Sequence, residues 1–406
     1  MTSKRTALMC ATALLLASTA LLTGTTASAD PAAHRGYDCL ASPTPARGEA
    51  RTILDIVKKD RRDLKLRAVV ARVTQNGRDV WTGALGPSMT DVPARPDMRF
   101  RAGSVGISFM GTVLLQLVDE KRVRLDDPLS KWLPSVPHAK EITLRMLGDT
   151  TSGFQDYVKN PAFVAELVSH PFRHWTPQEL LAYTRPKDLL YKPGTNFSYA
   201  HGNFLLLGEA LERITHTRLD HLLEQRIYRP LGLDATSNSY TPDIPTPVLH
   251  AFSAGRGKYE ETTFWNPSWT TAPGAVITMD ICDLARAGAG IGSGQTLTPK
   301  GHRTLLNPGT IGLGEPTQRC PHCIHGTKAA HFGMSVLVVN GWIIQNPSFT
   351  GYAAIMAYLP SRHLSIAVAA TDTADTNPNI TNLAQNVAED ISKPLVPNDP
   401  LTLGPF

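Results

Sequence analysis

Beyond its N-terminus the chain has no hydrophobic run approaching the roughly 18 residues that a membrane-crossing helix needs. It also has no internal repeat and no block of like charge. The formal net charge is +5 at neutral pH, and two of the positive residues, Lys4 and Arg5, sit in a segment expected to be removed. Nucleic acid and anionic membrane surfaces are therefore poor candidates for partners. Cysteine is sparse, and after removal of that segment Cys39, Cys282, Cys320 and Cys323 remain. An even count in an oxidising compartment predicts one or two disulfides, with the pairing left open.

The N-terminus has a three-part layout: Lys4 and Arg5, the apolar run Leu14 to Leu22, then Ala27-Ser28-Ala29 before Asp30. This predicts a signal peptide over 1–29 and an exported mature protein. Met9-Cys10 lies too early in the apolar segment for a lipoprotein acylation site. What remains exceeds the roughly 250–300 residues at which one core usually stops growing, so two sub-domains or a large insertion are expected.

Arg67 to Val73 and Arg78 to Trp81 read as strands around Asn76-Gly77, a two-residue hairpin signal. From Ser104 the period changes. Ile107, Met110, Leu114, Leu117 and Val118 recur at helical spacing, which places Ser104 at or near a helix N-terminus. Residues 126–243 are helical in pattern and punctuated by proline. Strand signals return at Phe332 to Val339, Trp342 to Gln345 after the Asn340-Gly341 turn, Ala353 to Leu359 and Leu364 to Ala370. Asn377 to Ile391 predicts a closing helix, and the Pro-rich tail over 393–406 is expected to stay loose. Residues 30–50 form an extension ahead of the main domain, 51–392.

Phe100-Arg101-Ala102-Gly103-Ser104, Leu115 to Glu120, Leu125 to Pro128, Thr151-Ser152-Gly153, Pro193-Gly194-Thr195, Phe197-Ser198-Tyr199, Pro230 to Leu233, Asn266 to Trp269 and Gly351-Tyr352 follow one another in the order of a known family. On these residues the chain resembles the serine β-lactamase and D,D-peptidase family, in its class C, carboxypeptidase and esterase branch, from about Val69 to Asn386. The resemblance implies an α/β (α+β) fold of the β-lactamase/transpeptidase type. Its antiparallel sheet is flanked by helices from both chain ends, and an all-helical domain is inserted at 126–243. It also implies a small-molecule or peptide ligand in the cleft between them, with neither cofactor nor metal.

The resemblance implies a nucleophile at Ser104, and here the chain departs from the family. The S-x-x-K motif keeps Ser104 but has Ile107 for lysine, and no serine in the chain has a lysine three residues on. Tyr-x-Asn keeps Tyr199 and has His201. The third motif, usually His or Lys, a small polar residue and Gly, reads Gln345-Asn346-Pro347, and Thr150 stands where the family has histidine. A serine hydroxyl needs a neighbouring base. Isoleucine takes no proton, and a phenol of ordinary pKa about 10 is almost wholly neutral at pH 7. Gln345 removes a possible cation from the ligand-binding wall, and Pro347 removes an N–H. The backbone N–H groups of Ser104 and Ser348 remain as oxyanion donors by analogy.

Two functions are consistent with this pattern. One is a secreted relative that has lost acyl-enzyme chemistry and binds through Gln345, Asn346 and Ser348. The other is an active serine hydrolase using Ser104 with Tyr199 or His201 as base. Each residue also has a plain structural alternative. Ser104 can serve as a helix N-cap, Tyr199 as a buried hydroxyl with one partner, and His201 as filler for the space left by lysine and asparagine. Cys320-Pro321-His322-Cys323 matches a thiol-oxidoreductase motif and, with His325, a metal clip. Its loop-like flanks favour a structural disulfide.

Overall fold

Both Asn-Gly pairs turn the chain as their sequence requires. Asn76 and Gly77 have φ of 52° and 73°, and Asn340 and Gly341 have 49° and 83°. This left-handed conformation matches the twist of a two-residue hairpin and is open to few other residues. The computed structural model describes residues 39–184, 188–238, 240–377 and 382–403. The expected signal peptide, residues 30–38 and the end of the tail lie outside the described residues.

The hairpins build a fully antiparallel sheet. Its order is Ala330–Phe332, Leu337–Val339, Trp342–Gln345, Tyr352–Leu359, Leu364–Asp372, Leu66–Gln75 and Arg78–Leu85, with Ser348–Phe349 added beside Tyr352. The two ends of the chain meet at its centre, where Val70 opposes Ala369 and Val73 opposes Ile366. Along the two strands from Tyr352 to Asp372 nearly every side chain is buried, so both faces are covered. Helix Ile281–Gly292 lies against these strands. A Cβ on its Gly292 would come within 2.6 Å of the Tyr358 ring, so the absence of a side chain sets how closely it can sit. Helices Glu49–Asp63 and Leu383–Leu395 pack together over the sheet.

Two expectations are corrected. The run Phe332 to Val339 is not one strand but a tight hairpin. Ser335 has φ of 63°, and Gly333 donates to the Val336 carbonyl at 2.7 Å. Nor is the tail loose up to Leu403. Val396 and Leu401 are buried, Leu401 donates its backbone N–H to Ser392 Oγ at 2.8 Å, and Trp342 Nε1 donates to the Asp399 carbonyl at 3.0 Å. These bonds and the burial of two apolar side chains offset the cost of ordering a Pro-rich segment.

The contact between the terminal helices buries a carboxyl group. Asp60 Oδ2 has no hydrogen-bond partner, and burial together with the neighbouring Asp390 charge pushes the Asp60 pKa up to about 6, against the pull of Lys59. A raised carboxyl pKa favours the fold below the ordinary value of 3.8, and that contribution is lost as pH rises through about 6. Asp60→Asn should therefore raise the unfolding free energy at pH 7.5 by about 1–3 kcal/mol, with the gain shrinking toward pH 4. Urea melts at the two pH values check this, and an equal gain at both would show that the carboxylate charge is not the cause.

Candidate functional site

Ser104 is placed by the strand ahead of it. Phe100–Arg101 pairs with Met279 and Thr278, Ala102 donates to the Ile277 carbonyl at 3.1 Å, and Gly103 turns the chain at φ 38°. Helix Val105–Asp119 follows. It is apolar and buried almost all round, so the end carrying Ser104 is held from below. Ser104 occupies the N-cap position, but its side chain makes no capping hydrogen bond. Its hydroxyl faces the Tyr199 phenol closely enough to lower that phenol's pKa. Ile107, one turn on, is fully buried.

Tyr199 ends a strap fixed to the segment at Thr150. Gly194 donates to the Thr151 carbonyl at 2.8 Å and Ser198 to the Thr150 carbonyl at 3.5 Å. Thr150 itself is held at φ 56°, and its Oγ1 is buried without a partner. Burial and the nearby Asp156 carboxylate raise the Tyr199 pKa well above its ordinary value of 10, and the Ser104 hydroxyl only partly opposes them. The phenol is therefore neutral across the physiological range.

His201 opens helix His201–Thr215, whose N-cap Ala200 offers no side-chain acceptor. Asp156 supplies one from 45 residues away. Its Oδ1 accepts the His201 backbone N–H at 3.2 Å, and its two oxygens lie 3.0 and 3.1 Å from His201 Nδ1. A carboxylate at a helix N-terminus also meets the positive end of the dipole. The pair is nearly shielded, with His201 16% and Asp156 3% exposed. The Tyr199 ring stands edge-on to His201 at 5.1 Å. His201 and Asp156 are thus joined by hydrogen bonds, and Tyr199 reaches them through a ring contact. Asp156 is the member that sequence reasoning missed; its only signal is a carboxylate set between the aromatic residues Phe154 and Tyr157.

All six residues singled out in the sequence, Ser104, Tyr199, His201, Gln345, Asn346 and Ser348, line one cavity of about 510 Å³. Trp269 and Phe332 are among its apolar walls, and Trp269 stacks on Phe349 at 5.9 Å. Two of the third-motif side chains are tied to protein partners. Gln345 Nε2 donates to the Ser335 carbonyl at 2.6 Å, and Asn346 Nδ2 donates to Gln385 Oε1 at 2.8 Å. Pro347 presses on the turn before Ser104, since a Cβ on Gly103 would lie 3.1 Å from Pro347 Cβ.

The cysteines pair Cys39 with Cys282 and Cys320 with Cys323. The C-x-x-C stretch lies in irregular structure between Gly314 and Lys328, so the strand-and-helix setting of a thiol oxidoreductase is missing. His325 pairs with Glu315 at 2.7 Å. Among the described residues, the one group with metal-ligand spacing is Cys39, Asp280 and Cys282, and its two sulfurs are bonded to each other.

Comparison with known proteins places this geometry. The β-lactamase family profile matches residues 53–388. A D-aminopeptidase of Brucella anthropi is 34% identical over 165 residues, 40% of this chain. The chain spans only 31% of that relative's length. The penicillin-binding protein PbpX of Bacillus subtilis is 22% identical over 60% of each chain. Among solved structures, a D-stereospecific amidohydrolase from Streptomyces sp. superposes with a TM-score of 0.67 at 25% identity, covering 80% of this chain and 96% of its own. The D-amino acid amidase of Ochrobactrum anthropi SV3 complexed with L-phenylalanine amide gives a TM-score of 0.68 at 18% identity, covering 85% and 98%. The order of the motifs, the sheet that carries them and a profile match over most of the sequence agree: the chain belongs to the β-lactamase family.

Proposed function

We propose that this is an exported member of the family that binds a small amide- or ester-bearing ligand over Ser104 and no longer runs lysine-dependent acyl-enzyme chemistry. One observation carries the reading. Ile107 is fully buried where the lysine would stand, and the remaining tyrosine is pushed up by burial and by a carboxylate instead of being drawn down by a cation. A neutral phenol next to Ser104 offers the hydroxyl no base. The tethering of Gln345 and Asn346 to protein groups is in keeping with a changed ligand wall. Relatives named for D-aminopeptidase and D-stereospecific amidohydrolase activity make a D-amino acid amide a reasonable first ligand. Export is supported by the leader-like N-terminus and the two disulfides, and N-terminal sequencing of protein from culture medium would test it at Ala29.

Intact-protein mass after incubation with penicillin and with p-nitrophenyl acetate, on the mature protein and on Ser104→Ala, tests the chemistry. No Ser104-dependent adduct or turnover is expected, and either would overturn the proposal.

The His201–Asp156 pair favours a second reading, an active hydrolase with a rewired base. A histidine whose Nδ1 faces a carboxylate is oriented to accept a proton at Nε2. On this reading ester turnover exists, depends on Ser104, and falls by about 10² to 10⁴ in His201→Ala. Asp156→Asn should lower it while leaving Ser104 in place, and full activity in His201→Ala would remove this base from consideration.

A further inference from the structure

We propose that the cleft continues past Ser104 into an anion-recognising annex formed by Lys159, Arg319 and His322, and that the ligand is an amphipathic acid, an apolar or aromatic group joined to a carboxylate. This rests on the reading of the cleft as a ligand site and adds the chemistry of what it selects.

A second cavity of about 320 Å³ adjoins the first. The two share Lys159, Ser198 and His322 as lining residues, so they adjoin along one wall. The cavity over Ser104 is walled by Phe197, Trp269 and Phe332. The second cavity adds Arg319 to the shared Lys159 and His322. Among the described residues none of these three pairs with a carboxylate, although 21 ion pairs form elsewhere in the molecule. The annex has one acidic wall residue, Asp156. Both of its oxygens are taken up by His201 Nδ1 at 3.0 and 3.1 Å, which turns the carboxylate toward the imidazole. Lys159 and Arg319 outnumber this one carboxylate, so the basic residues dominate the annex.

The annex is also held in shape before any ligand arrives. His322 lies inside the turn closed by the Cys320–Cys323 disulfide, and Arg319 directly precedes it. Thr317 and Cys320 exchange backbone hydrogen bonds at 3.1 and 3.0 Å, and Cys323 donates to the Cys320 carbonyl at 3.2 Å. Lys159 ends the short helix Tyr157–Lys159, capped by Asp156, and the Tyr157 hydroxyl is tied to the Trp269 carbonyl at 2.5 Å. A pinned backbone lowers the cost of ordering these donors on binding, and charged donors to a carboxylate form the stronger class of hydrogen bond. None of the third-motif residues Gln345 to Ser348 lines the second cavity, so it stands in addition to the motif strand whose side chains are tethered.

The test is a tryptophan-fluorescence titration of the mature protein with phenylacetylglycine and with its neutral isostere phenylacetylglycinamide. The acid is expected to bind about 10- to 100-fold tighter, roughly 1.4–2.8 kcal/mol, and raised salt should narrow the gap. In Lys159→Gln/Arg319→Gln the two probes should come within about twofold of one another. Both residues are exposed, and a melting curve matching the parent shows that the fold is retained. Equal affinity for acid and amide in the parent, or an acid preference that survives the double substitution, overturns the annex while leaving the cleft as a ligand site. Failure of both probes to bind overturns the annex and counts against the cleft reading as well.

Discussion

Ile107→Lys, the substitution that would restore the family's lost lysine, is expected to destabilise the protein by about 4–7 kcal/mol and still to give no penicillin adduct. Ile107 has no exposed surface, and it sits in a helix whose side chains from Val105 to Leu115 are all buried. A lysine there must lose its charge or find a partner. A fully buried amine shifts down by about 3–5 units, each unit costing roughly 1.4 kcal/mol. The groups that could receive it are already engaged or unsuited. Asp156 is held by His201, and the Tyr199 phenol is neutral. Were the amine to reach Ser104, the motif strand would still present Gln345 bound to Ser335 and Pro347 against Gly103, so a substrate carboxylate and backbone would meet the wrong wall. Urea unfolding and intact mass after penicillin check the two halves separately. A Ser104-dependent penicilloyl adduct in the single variant would mean that the lysine was the only thing missing.

This site is legible in the sequence because its family motifs are local. Ser104 at a helix start, Tyr199 and His201 two residues apart, and Trp342 to Gln345 after an Asn-Gly turn are short-range patterns, and the fold brings them to one cavity. Asp156 carries no such pattern. Its role arises because a helix whose N-cap is Ala200 needs an acceptor, and the chain supplies it from a segment 45 residues earlier. Lys159 and Arg319 are silent for the same reason, since their meaning depends on two cavities sharing a wall. At the tail, composition misleads. Proline content says that a segment lacks regular structure, but not that its backbone lacks partners, and Leu401 finds both a place in the core and an acceptor for its N–H in the Ser392 hydroxyl. The hairpin at Ser335 is hidden because a continuous apolar run reads as one strand unless its glycine is weighed as a turn.

The second large effect concerns the two disulfides, which close loops of very different size. Cys39 and Cys282 are 243 residues apart, Cys320 and Cys323 only three. In the chain-entropy account the longer closure restricts the unfolded chain by about 5 kcal/mol and the shorter by about 2. Native-state contacts widen the difference. The long bridge anchors the N-terminal segment, where Ser42 exchanges hydrogen bonds with the edge strand at Thr82, at 2.7 and 2.8 Å, to the first turn of the helix that lies against the sheet. Cys39→Ala/Cys282→Ala is therefore expected to lose about 2–5 kcal/mol and to unfold at markedly lower urea. Cys320→Ala/Cys323→Ala should shift the midpoint far less, and its main effect should be a loss of acid-over-amide discrimination in the annex. Urea melts of both double variants, beside the parent with and without reductant, resolve this. Reductant should reproduce the sum of the two changes. If removing the long bridge costs no more than removing the short one, the N-terminal segment is held by its hydrogen bonds and packing alone.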